Sequence, residues 1–327
     1  MKKLIALTCA LLMVFSLCAC GESAPAPAAD GGTDESPTYT VGICQLVQHV
    51  ALDAATQGFK DALTDEFGDS VIFDEANASG DSATCSTICN GFVSSGVDLI
   101  LANATPALQA AVSATNEIPI LGTAVTEYGV ALGIENFSGT VGGNVSGTSD
   151  LAPLDQQAQM IVDLFPDAKS VGILYCSGEA NSVYQADVVE KCLTESGLSV
   201  ARFTFADSND VSTVTESACS ECDVLYIPTD NTAASCADAI AAIAGPANIP
   251  IITGEEGPCA ICGVATLTID YYELGRTTGE MAIKLLKGEA DISEMAVEYY
   301  PNPVKKFNPT LSEALGVAIP DDYIAIE

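Results

Sequence analysis

From residue 39 onward, short apolar runs alternate with longer stretches in which apolar side chains recur every three or four positions. The short runs fall at 39–47, 71–77, 97–102 and 118–124. Their near-unbroken apolar character predicts strands covered on both faces. Between them, 52–67, 82–94 and 106–115 have helical spacing, and in the first of these Ala55, Phe59, Ala62 and Leu63 share one face. Pro106 opens the third helix, where its missing N–H costs nothing. A further short strand is predicted at 130–134. The alternation then restarts, with helices at 154–164, 183–196, 211–219 and 233–244 and strands at 170–175, 199–205, 223–228 and 249–253. A strand at 264–269, a helix at 271–287, a strand at 296–300 and a turn of helix at 311–315 complete the pattern.

Repeated strand–helix alternation predicts an α/β protein made of two doubly wound parallel-sheet lobes with a ligand cleft between them. The expected division gives lobe 1 residues 38–150 with about 270–292, and lobe 2 residues 151–269 with about 293–327.

The first residues follow another logic. Lys2 and Lys3 precede an apolar run, 4–17, that is too short for a membrane span and has the form of a secretory leader. The run ends in Leu17-Cys18-Ala19-Cys20-Gly21, which resembles the bacterial lipobox. That resemblance implies a signal peptide over 1–19 and a lipid on the sulfur of Cys20. An ordinary leader cut after Ala19, with Cys20 incidental, is the plainer alternative. Residues 20–37 are Ala, Pro, Gly, Ser and acidic, and read as a flexible tether.

Charge narrows the partners. With 44 acidic and 11 basic residues, the formal net charge is −33. Such a field repels nucleic acid and anionic lipid headgroups, so no nucleic-acid partner is expected and the membrane is met through the lipid anchor only. Of thirteen cysteines, Cys219/Cys222 and Cys259/Cys262 have C-x-x-C spacing. The 36 residues between the two pairs exceed the roughly 15–20 of a paired zinc ribbon and span strand and helix patterns. Most cysteines lie in apolar patterns, where a thiol acts as a small hydrophobe, and no metal is expected. Disulfides remain chemically open to an exported chain. No phosphate-cradling loop, dinucleotide fingerprint or nucleophile elbow occurs, so neither catalytic residues nor a cofactor are expected.

Binding chemistry is expected in the loops that leave the strand ends, where the sequence turns polar. These carry Gln45 and His49, then Thr105 and Pro106, then Thr126, in the first half. In the second half they carry Ser177, Asn181 and Ser182, then Asp230 and Asn231, then Gly254-Glu255-Glu256-Gly257, then Asp270. Several segments together resemble a known family: 45–53, Ala104-Thr105-Pro106, Gly143-Asn144-Val145-Ser146-Gly147-Thr148-Ser149-Asp150, 175–182, Pro228-Thr229-Asp230-Asn231-Thr232 and 269–275. They are similar to the ABC-transporter substrate-binding lipoproteins of the tryptophan/tyrosine-binding type, over nearly all of 39–320. The resemblance implies a type I periplasmic-binding-protein fold and an aromatic amino acid as ligand. The chain departs from the family at Val50, where members often have Pro, and at Glu127-Tyr128, where they often have Asp-Pro.

A zwitterionic amino acid needs an anion for its ammonium and donors for its carboxylate. None of the nine basic residues beyond the leader lies in these loops. The carboxylate must therefore rely on hydroxyls and helix N-terminal amides, with Thr105, Thr126, Ser177 and Ser182 as candidates. Asp230 is the first candidate for the ammonium and Asp270 the second. Each hydroxyl is equally explained as a helix N-cap, whereas the Asp230 side chain can serve as cap and ligand contact at once. His49, the one histidine, fits a packing or capping role as well as a cleft contact. Tyr128, Tyr175, Tyr184, Tyr271 and Tyr272 are candidates to stack on a ligand ring. The expected function is that of an extracytoplasmic solute-binding lipoprotein on the outer face of the cell membrane, delivering its ligand to an ABC permease and ATPase. The alternatives are a membrane-tethered sensor for a nucleoside or other small ligand, and an adhesive or structural lipoprotein.

Overall fold

The computed structural model describes residues 38–327; the leader, Cys20 and the tether lie outside the described residues. Strand β1 (Tyr39–Gln45) is followed by α1 (Val50–Phe67), β2 (Val71–Asn77), α2 (Ser82–Ser95), β3 (Leu99–Asn103), α3 (Thr105–Ala114), β4 (Ile120–Val125), α4 (Tyr128–Leu132) and β5 (Val145–Ser149). Every residue of β3 and β4 is buried, as expected of strands with helices on both faces. Local chemistry sets the ends of the helices. Asp81 accepts from the Thr84 amide to start α2, and Gly96 closes it in the left-handed region at φ 69°.

The second half runs α5 (Leu154–Leu164), β6 (Ser170–Cys176), α6 (Ala180–Glu195), β7 (Ser199–Phe205), α7 (Val211–Glu221), β8 (Val224–Ile227), α8 (Asn231–Ser235), α9 (Ala237–Ala247), β9 (Ile251–Thr253), α10 (Glu256–Ile261) and β10 (Ala265–Thr268). The chain then returns to the first half through α11 (Tyr271–Leu286) and β11 (Glu298–Tyr299). It ends in the second half with β12 (Val304–Phe307), α12 (Pro309–Ala314) and β13 (Ile324–Ala325).

Two sheets result, ordered β11-β5-β4-β3-β1-β2 and β13-β12-β10-β9-β8-β6-β7. Each contains the doubly wound order 2-1-3-4-5, and all pairings are parallel except β10 with β12. Two apolar layers flank each sheet, around Phe59 and Leu108 in the first half and around Tyr226 and Leu225 in the second. The chain crosses between the halves three times, at 150–153, 269–270 and 300–303. The last crossing lies beyond the expected boundary near 293, because Glu298 and Tyr299 pair with Thr148 and Ser149 at the edge of the first sheet.

Two further corrections concern the first half. The strand expected at 130–134 is the single-turn helix α4, capped by the Glu127 carboxylate on the Val130 amide and ended by Gly133 at φ 65°. The fifth strand is instead β5, Val-Ser-Gly-Thr-Ser, which no apolar pattern marks. It is buried because its hydroxyls are paired. Ser146 Oγ donates to the Met295 carbonyl at 2.9 Å, and Thr148 Oγ1 lies 2.7 Å from Thr278 Oγ1 on α11.

Candidate functional site

In open α/β sheets, ligands bind beyond the carboxyl ends of the strands, where strand order reverses. That reversal falls between β1 and β3 in the first sheet and between β6 and β8 in the second. The loops leaving those four strands face one another across the halves. His49 Nε2 is 3.2 Å from Asn231 Oδ1, α4 packs on α6, and α1 packs on α10, so the halves are closed on each other. Burial holds the His49 pKa below its ordinary value. A cavity of about 320 Å³ opens between the halves on one side, with Leu46, Asp81, Pro106, Glu179 and Asn231 in its wall. A second, of about 270 Å³, lies among the start of α1, α10 and the crossings, beside Tyr300 and Lys306.

The residues expected to touch ligand do not all come together. Gln45 is spent within the first half: its amide donates to Asp53 Oδ1 at 2.7 Å and to the Val47 carbonyl, and it accepts from Thr56 Oγ1. Asp270 is exposed and caps α11 through the Glu273 amide, and Ser177 is exposed with its hydroxyl on the Phe205 carbonyl. Thr105 is the first residue of α3 and not its cap. The cap position is Ala104, at φ 91° and ψ 158°, a region that glycine occupies freely and alanine enters only under strain. Likewise Ser182 sits inside the first turn of α6, whose cap position is Glu179.

The remaining candidates come together at the closed interface. Pro106 lines the larger cavity, and Thr126 is buried with its backbone carbonyl accepting from Ser149 Oγ at 2.8 Å. Asn181 donates to the Thr229 carbonyl at 3.1 Å, while its own side-chain oxygen has no partner. Asp230 is the N-cap of α8: one oxygen accepts from the Ala233 amide and the other from the Cys176 amide, both at 2.7 Å. Among the tyrosines, Tyr128, Tyr175 and Tyr272 use their hydroxyls within their own surroundings, on the Thr148 carbonyl, Arg202 and Asp61. Tyr271 donates to Asp150 Oδ2 at 3.1 Å.

What this geometry assembles is a set of four buried carboxylates: Asp150 and Glu179, each 4% exposed, and Asp230 and Glu255, each 1%. No salt bridge among the described residues includes any of them. Glu179 is compensated by the amides and side chains of Asn231 and Thr232 and by Asn181. Burial raises Asp150 to about 6, and burial with the Glu179 charge raises Asp230 to about 7. Glu255 is pushed well above the usual carboxylate range by burial and then by the charges of Asp150, Asp230 and Glu179. Both Glu255 oxygens and Asp150 Oδ1 lack a protein partner. The sequence offered Asp150 only as the end of a family segment and Glu255 only within an acidic turn. The signal that singles them out is burial without a donor, which exists only once the halves meet. The ten cysteines among the described residues are free thiols.

Comparison with known proteins places the chain among binding proteins. A family model described as ABC transporter substrate binding protein matches residues 40–326. A tyrosine-binding protein of Clostridioides difficile (strain R20291) is 37% identical over 295 residues, covering 88% of this chain and 85% of that protein. A Streptococcus pneumonia ABC domain solved in complex with L-Trp is 31% identical, with TM-score 0.83, covering 87% of this chain and 96% of that one. The ligand-free, open structure of a Clostridium difficile substrate binding protein with adhesive properties is 37% identical, covers 89% of this chain and 99% of that one, yet gives TM-score 0.67. The better superposition is on the less identical, liganded protein, as expected of two halves in the closed arrangement.

Proposed function

We propose that this chain, which belongs to the ABC transporter substrate-binding protein family and has a type I periplasmic-binding-protein fold, captures an aromatic amino acid between its two halves and delivers it to a membrane permease and its ATPase. The observation that carries the ligand class is the closed interface itself. It buries four carboxylates that no lysine or arginine pairs with among the described residues, so a ligand bringing a positive charge is favoured there. An amino acid does so with its ammonium. Its carboxylate then faces helix N-termini such as that of α3, and not a cation of the protein. The aromatic side chain is supported by the relatives that bind tyrosine and L-Trp.

The remaining parts of the reading follow from that role. The protein works outside the cytoplasm, carries a lipid on Cys20 after removal of 1–19, and binds its ligand without transforming it. The first lobe comprises 38–150 with α11 and β11, and the second comprises the rest. A thermal-shift series on the purified chain tests the ligand class. Tryptophan, tyrosine or phenylalanine at a hundredfold excess over its dissociation constant should add about 2.7 kcal/mol to stability. Stabilisation by a nucleoside or a sugar, and by no amino acid, rejects the assignment.

A further inference from the structure

We propose that Asp150 and Glu255, one from each half, form the clamp that takes the ligand's ammonium group. The inference rests on the reading of the chain as an amino-acid binder and specifies which atoms do the binding. Asp150 directly follows β5 in the first half, and Glu255 lies between β9 and α10 in the second. Among the four buried acids they alone keep oxygens without a protein donor: Asp150 has Oδ1 free and Glu255 has both. Asp230 already accepts two backbone amides, and Glu179 accepts from Asn181, Asn231 and Thr232.

The groups facing the pair explain why the missing donor must come from the ligand. From α11, the Tyr271 hydroxyl is committed to Asp150 Oδ2. From the segment before α4, the neutral Thr126 side chain also faces Asp150. Tyr128 on α4 and the acids Asp230 and Glu179 add only neutral or negative character. His49, at the start of α1, is engaged with Asn231. An ammonium has three N–H donors, and two carboxylates with three open oxygens match it in number and charge. Because the two acids belong to different halves, the cation between them also holds the halves together. A ligand lacking the ammonium would leave two carboxyls facing each other, so the deaminated aromatic acids should be refused.

Calorimetric titration of the whole protein with L-tryptophan, tryptamine and indole-3-propionate, on wild type, Glu255→Gln and Asp150→Asn, tests the assignment. Wild type should bind tryptophan and fail to bind indole-3-propionate. Each variant should lose at least about thirtyfold in tryptophan affinity. Melting curves without ligand should show Glu255→Gln at or above the wild-type temperature, since the variant removes a buried carboxyl that has no partner in the protein; a purely structural role would lower it. If wild type binds tryptophan and both variants bind it as tightly, the clamp is wrong while the functional reading stands. If wild type binds indole-3-propionate as well as tryptophan, the clamp is likewise wrong. If wild type binds neither tryptophan nor tryptamine, the functional reading and the clamp fall together.

Discussion

At Asp230 a single carboxylate serves two backbone amides that would otherwise be buried without an acceptor, Ala233 at the start of α8 and Cys176 at the end of β6. The run Pro-Thr-Asp-Asn-Thr after a strand marks that cap in the sequence, because a short acceptor there fits the open amides of a helix start. Glu255 has no such mark. Gly-Glu-Glu-Gly reads as a solvated turn, and the charges that bear on the buried Glu255, those of Asp150, Glu179 and Asp230, come from other loops. The two acids therefore separate experimentally. Asp230→Ala should lower folding stability by about 2 kcal/mol, from the lost cap and the stranded Cys176 amide, and change tryptophan affinity only a fewfold. Melting curves beside calorimetric titrations check this. An unchanged melting temperature with a large loss of affinity would return Asp230 to the role of ammonium partner.

Helices α1 and α11 show how much of an element the pattern of apolar positions reveals. Their existence was legible, and so was the inner face of α1, where Ala55, Phe59, Ala62 and Leu63 recur at helical spacing and are buried. Their mutual approach was less so, because glycines carry it. A Cβ on Gly275 would lie 2.0 Å from the Ala55 carbonyl oxygen, and one on Gly58 would lie 2.0 Å from that of Tyr272. Gly275→Ala must push the helices apart, and should cost about 1–3 kcal/mol in a chemical-denaturation curve. A variant as stable as wild type would mean that the helices slide past each other without loss. Strand β5 is the opposite case, an element without an apolar signature. Its Ser and Thr hydroxyls find partners only on neighbouring elements, so alternation of apolar and polar residues cannot reveal it.

For the molecule as a whole, the closed halves hold acids that prefer to keep their protons. Asp150 and Asp230 titrate near 3.8 when unfolded and near about 6 and about 7 in the closed fold. Folding thus takes up protons between those values, so their contribution is whole below about pH 4 and is lost as pH rises through 6 to 7. The melting temperature of the ligand-free protein should therefore fall between pH 5 and pH 8. Saturating tryptophan should flatten that slope, because an ammonium replaces the proton. A ligand-free melting temperature that rises steadily over this range contradicts the burial of these groups. The doubly wound architecture of both sheets was legible from strand–helix alternation. The last crossing was not, since the two-residue strand β11 is placed by pairing and not by pattern. Those crossings have a mechanical consequence. Three links of four, two and four residues, at 150–153, 269–270 and 300–303, stitch the halves along one edge like the spine of a book. Parallel stitches resist twisting and sliding and leave one soft direction, the turning of the covers. Were the proposed permease to touch both covers, it would have a single angle to read, and that angle would report whether the page between them is occupied.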